Sequence, residues 1–70
     1  MRKRYFVNDR YCQVQFWKDG KQIGWLSYDM AQGVFSVTSW PSSYNPVKKL
    51  ACYFSLLSLA RKVIHNVEES

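Results

Sequence analysis

Apolar and polar positions alternate along the chain in three runs, and then the period lengthens. The first run covers about Arg10 to Lys18, is rich in β-branched and aromatic residues, and predicts a strand. Asp19-Gly20 follows, and because both positions tolerate positive φ the pair predicts a two-residue hairpin turn. Such a turn sets Lys18 opposite Lys21, Phe16 opposite Ile23, Val14 opposite Trp25 and Cys12 opposite Ser27, gathering the apolar members on one face. A three-residue loop would set Phe16 against Gln22 and scatter them. A third run, Val34 to Trp40, alternates again, and its Phe35 and Val37 join the apolar face. Arg4 to Asn8 reads either as a short edge strand or as part of a basic N-terminal arm over residues 1–9.

Residues 41–45 form a loop bounded by Pro41 and Pro46, since the residue before a proline avoids helical geometry. Asn45 is suited to cap a helix whose first position is Pro46. That helix is expected over 46–66, roughly 30 Å at about 1.5 Å per residue. Leu50, Tyr53, Phe54, Leu57, Ala60, Ile64 and Val67 make a stripe expected to seal the apolar sheet face. A second stripe, Cys52, Leu56, Leu59 and Val63, lies beside it. It is expected either under the N-terminal arm and the loop or against a second copy of the chain. The helix's length for so small a sheet favours the homodimer. The expected architecture is α+β: a single domain over 1–70 in which a β-meander at 10–40 packs against one long C-terminal helix. Its antiparallel sheet has three strands, or four if Arg4–Asn8 joins.

The sheet face away from the helix changes the picture. On this register it carries Tyr11, Gln13, Gln15 and Trp17, then Gln22, Gly24, Leu26 and Tyr28, then Val34, Ser36, Thr38 and Trp40. It holds no formal charge, while Arg2, Lys3, Arg4, Arg10, Lys18 and Lys21 rim it. Aromatic rings stack on bases at roughly 1–3 kcal/mol each, amides and hydroxyls hydrogen-bond base edges, and a basic rim holds phosphates. The same composition describes a protein-binding hot spot, with Tyr and Trp at its centre and charge at its margin. Cross-strand aromatics also stabilise small sheets, but four large aromatics and a leucine on one face exceed ordinary scatter.

Composition agrees with a small folded domain: 47% hydrophobic and 17% aromatic residues can bury a core, near the lower size limit for doing so alone. Ten Lys and Arg against five Asp and Glu give a charge of +5, which favours nucleic acid or an acidic protein surface. A net charge of about 2 to 8 is nonetheless ordinary for solubility. Cys12 and Cys52 are too few for a disulfide-stapled secreted mini-protein and read as packed thiols. With the lone His65 they show no zinc spacing, so no metal or cofactor is expected. The opening "MRKRYFVNDR" lacks the apolar core of a signal peptide. Leu50–Ala60 falls short of the ~20 residues that cross a bilayer. A cytoplasmic protein away from membranes is expected.

Catalysis finds little support. Asp9, Asp19 and Asp29 fall in turns, Glu68 and Glu69 at the helix end, and no two form an acid–base pair. Cys52 and His65 are separated by about 20 Å of helix, and Cys12 points into the core. Gly20, Gly24 and Gly33 belong to turns or a strand, which leaves no glycine-rich phosphate loop.

Three antiparallel strands followed by a helix is similar in topology to AP2-type and integrase arm-binding DNA-recognition domains, which read a groove with the sheet. The loop at 41–45 is longer than theirs, and the resemblance is one of element order, which implies no particular residues. Two functions are therefore expected of this non-enzymatic chain. The first is a nucleic-acid-binding regulator, with Tyr11, Trp17, Tyr28 and Trp40 in contact beside Gln13 and Gln15. The alternative is a modulator or inhibitor of the kind that compact phage and other mobile-element genomes encode. It would dock on a larger, acidic or nucleic-acid-handling protein through the same face or the second helix stripe.

Overall fold

A computed structural model describes the backbone from residue 1 to 69 and the side chains as far as Val63. Strands β1 (Arg2–Val7), β2 (Tyr11–Lys18), β3 (Lys21–Asp29) and β4 (Val34–Val37) precede helix α1 (Pro46–Glu69). The strands form one antiparallel sheet in chain order, and α1 lies across one face of it. Arg2–Val7 is thus an edge strand, paired from Arg2 opposite Trp17 to Val7 opposite Cys12.

Local chemistry explains the turns. Between β1 and β2 the Asn8 carboxamide oxygen accepts the Arg10 and Tyr11 backbone N–H groups at 2.8 and 2.6 Å. Asp19 and Gly20 have φ of 53° and 75°, the left-handed pair that closes a two-residue hairpin. After β3, one Asp29 carboxylate oxygen accepts the Ala31 and Gln32 N–H groups, and Gly33 turns the chain at φ 71°.

The hairpin begins in the expected register, Lys18 opposite Lys21, and then departs from it. Trp17 pairs with Gln22 but Phe16 pairs with Gly24, so Ile23 is an extra residue in a β-bulge. Ser39 sits against this point: its hydroxyl donates to the Ile23 carbonyl, and a Cβ at Gly24 would collide with the Ser39 carbonyl and hydroxyl oxygens. One inserted residue exchanges the two faces of the rest of β3. Val14 therefore faces Leu26, and Cys12 faces Tyr28, not Trp25 and Ser27. Leu26 and Tyr28 turn towards the helix, and Trp25 and Ser27 towards the open side.

Asn45 caps α1 by accepting the Lys48 N–H at 2.9 Å, with Pro46 at the first helical position. Here the packing corrects the expected stripes. Cys52, Leu56 and Ala60 are buried against Cys12, Val14, Phe16 and Leu26, with Tyr53 and Leu59 packed beside them. Small residues one turn either side of Leu56 let the helix axis approach the sheet, and burying that leucine contributes about 1.5–3 kcal/mol. The proposed dimer stripe is accordingly part of the monomer's core at Cys52 and Leu56 and half-covered at Leu59 and Val63. Of the other stripe, Tyr53 and Leu57 are half-buried and Ala60 is buried, while Leu50 and Phe54 stand 55% and 60% exposed. Ile64, His65 and Val67 lie outside the described side chains.

An aromatic cluster closes the space between helix and sheet. Tyr28 meets Phe35 at 4.5 Å between ring centres, Phe35 meets Tyr53 at 4.8 Å, and Phe16 meets Tyr44 at 5.2 Å. Trp40 joins it, 5.7 Å from Phe16 and 5.9 Å from Tyr53. Because β4 ends at Val37, strand alternation no longer governs position 40, and Trp40 folds under the sheet. Among the described residues, no helix is long and apolar enough to cross a membrane.

Candidate functional site

The face that α1 leaves open is built in cross-strand rows. Arg2 lies beside Trp17; Arg4, Gln15 and Trp25 form the next row; Phe6, Gln13, Ser27 and Ser36 the third; Tyr11, Asp29 and Val34 the last. The Thr38 backbone N–H bonds the Trp25 carbonyl at 3.1 Å and its hydroxyl accepts the Trp25 N–H at 3.0 Å, extending the second row.

Side chains along β2 are tied together. The Trp17 indole N–H donates to Gln15 Oε1 at 3.1 Å, and Gln15 Nε2 donates to Gln13 Oε1 at 2.8 Å. This ladder holds three alternate residues in line and leaves the Gln13 amide nitrogen as its uncommitted end. The Arg4 guanidinium carbon lies 5.6 Å from the Trp17 ring centre, and that of Arg10 5.3 Å from the Tyr11 ring centre. Arg10 also approaches the Asp29 carboxylate at 3.7 Å, a long pair in which Arg10 is exposed and Asp29 largely covered.

Two hollows lie on this open side of the sheet. One of about 670 Å³ lies at the hairpin end between Met1, Arg2, Arg4, Trp17, Lys18 and the turn. Another of about 270 Å³ lies at mid-sheet between Phe6, Tyr11, Gln13, Trp25, Ser27 and Ser36. The first is the more basic, the second the more aromatic.

The expected site divides accordingly. Tyr11, Gln13, Gln15 and Trp17 share the open face with Arg2 and Arg4, while Arg10 stands at its edge and Lys18 and Lys21 at the hairpin tip. Tyr28 and Trp40 are on the other side, the first because of the bulge and the second because β4 is short. Lys3 is also on the helix side, its ammonium 5.7 Å from the Tyr44 ring centre. The adjoining Tyr44 side chain raises the Lys3 pKa above the ordinary lysine value, outweighing the opposing effect of burial. In place of these three the face gains Phe6, Trp25 and Ser27. For the β3 residues, Tyr28 against Trp25 and Ser27, the signal was Gly24, since an isolated glycine in a strand often marks a bulge.

Burial pushes both thiols, Cys12 and Cys52, above their usual pKa. Each is a free cysteine packed in the core. No family model, curated protein or solved structure matches the chain.

Proposed function

We propose that the protein is a non-catalytic nucleic-acid-binding regulator that engages its ligand on the open sheet face. The observation that carries this reading is the Arg4 guanidinium over the Trp17 ring, whose indole is tied to the Gln15 amide, a cation, a ring and an amide together on the sheet face that the helix leaves open. Phe6, Tyr11, Trp17 and Trp25 offer rings for base stacking; Arg2, Arg4, Arg10, Lys18 and Lys21 offer charge for phosphates. Two cysteines packed as free thiols support a cytoplasmic setting.

Tryptophan fluorescence titrated with single-stranded DNA, duplex DNA and RNA, at low and near-physiological salt, tests the reading. Quenching with a steep salt dependence is expected. No binding of any of the three at low salt would remove it.

A second reading attaches to the helix. Val47, Leu50 and Phe54, exposed by 76, 55 and 60%, form an outward apolar stripe. Residues 46–63 carry Lys48, Lys49, Arg61 and Lys62 and no acid. That pattern fits a protein partner presenting an apolar ridge between acidic side chains better than it fits a second copy, whose helix would bring like charge.

A further inference from the structure

The mid-sheet hollow has a more specific content than a stacking surface. Its walls are three rings from three strands, Phe6, Tyr11 and Trp25, and its floor is the row Gln13, Ser27 and Ser36. Gln13 Oε1 is already taken by Gln15, which leaves its amide N–H groups to donate elsewhere. Among the described residues the Ser27 and Ser36 hydroxyls have no hydrogen-bond partner, and no polar side-chain atom is buried unsatisfied. Ser27 is only 7% exposed, yet it lines this hollow, so the opening above it is the outlet for its hydroxyl.

We infer that this hollow holds one unpaired nucleobase, with the rings stacking on its faces and Gln13, Ser27 and Ser36 hydrogen-bonding its edge. The inference rests on the nucleic-acid reading above and narrows it to single-stranded or looped ligands. A volume of about 270 Å³ admits one flat ring system and is below the range of pockets for drug-sized ligands. The floor supplies a fixed amide donor and two hydroxyls that donate or accept, which is how unpaired base edges are read. Arg10 on the Tyr11 side and Arg4 on the Trp17 side stand where the flanking phosphates of such a strand would run. A base inside a duplex is stacked and paired, and entering the hollow would cost a few kcal/mol of unstacking.

The test compares a short oligothymidine strand, the same strand with abasic sites replacing its bases, and a duplex of equal length. Wild-type protein is set beside Ser36→Phe, which fills the hollow, and Gln13→Ala, which removes the donor. Ser36 is exposed on the edge strand, so these variants are first checked for unchanged melting. The single strand is expected to bind at least about tenfold more tightly than the abasic strand or duplex, in line with the worth of one stacked base. Ser36→Phe should erase that preference while leaving the weaker, salt-dependent binding. Gln13→Ala should weaken single-strand binding by about threefold to tenfold, one hydrogen bond's worth. Equal binding of all three ligands, or wild-type affinity in both variants, would overturn the base pocket while leaving nucleic-acid binding intact. Absence of binding to every ligand would overturn both.

Discussion

Ser39 holds the bulge of β3 from both sides, its hydroxyl donating to the Ile23 carbonyl and its own carbonyl pressed against Gly24. Glycine is needed here for space, because the obstruction includes backbone that cannot rotate away. Gly24→Ala is expected to cost about 1–3 kcal/mol as an overpacking change. For a domain of this size each kcal/mol lowers the melting temperature by about 4–8 °C. Circular dichroism melting checks it; an unchanged midpoint would mean that Ser39 moves aside freely.

The same bulge decides what the sequence could and could not reveal. Asp19-Gly20, Asn45-Pro46 and the alternation of β2 are local signals, and each element formed where its signal lay. Gly24 is a local hint of a bulge, but nothing local marks Ile23 as the extra residue; the bulge depends on Ser39, sixteen positions from Ile23, folding back on Gly24. Every face assignment on β3 after it was inverted in consequence, which moved Tyr28 in and Trp25 out. Trp40 misled for a different reason, since alternation continues in the sequence past Val37 while the strand does not. The two helix stripes differ little in hydrophobicity, and the buried face draws on both, with Cys52 and Leu56 from one and Ala60 from the other, the small residues flanking Leu56 letting the helix approach the sheet.

That packing has a measurable contrast. Leu56→Ala should destabilise the fold by about 2–5 kcal/mol, since it leaves a cavity in a fully buried site. Phe54→Ala should change stability by less than about 0.5 kcal/mol, because its ring faces solvent. Chemical denaturation of the two variants reads both values. A large loss at Phe54 would indicate that its stripe is covered, and light scattering on the wild-type chain would then show a mass above that of the monomer.

Alkaline pH should weaken the fold. Cys12 and Cys52 are raised by burial, so the folded state favours their neutral thiols; Lys3 is raised chiefly by the adjoining Tyr44 side chain, so the folded state favours its ammonium. In all three cases the folded chain binds the proton more tightly than the unfolded chain. Their contributions are complete at neutral pH and fall away as pH rises from the ordinary thiol range, about 8.5, through the lysine range near about 10.4. Melting temperature should therefore be flat from about pH 6 to 8 and decline above about pH 9. Thiol reagents at neutral pH should be slow with the native protein and titrate both cysteines in denaturant.

Arg4 and Lys3 are neighbours in sequence on opposite faces of β1, which separates a phosphate contact from a structural cation. Arg4→Ala should reduce the salt dependence of single-strand binding by about 0.7 in the slope of log K against log salt, with little effect on melting. Lys3→Ala should leave the slope unchanged while removing the cation beside Tyr44. Equal slopes for Arg4→Ala and wild type would take Arg4 out of the binding surface.

The three tryptophans divide the protein into a reporting face and a silent core. Trp17 and Trp25 stand on the open sheet, whereas Trp40 packs among Phe16, Tyr44 and Tyr53. A stacked base quenches an indole it touches and leaves a shielded one unaffected. Trp40→Phe should therefore keep the full ligand-induced change in fluorescence while losing some stability, since a core ring is being reshaped. Trp17→Phe and Trp25→Phe should each remove part of that change and, together, nearly all of it. The Trp25 variant carries the sharper expectation: Trp25 walls the base-sized hollow and Trp17 does not, so its signal should respond to bases and be lost with the abasic strand. Quenching confined to Trp40 would instead mean that ligand binding disturbs the packing of helix on sheet, and the open face would cease to be the binding surface.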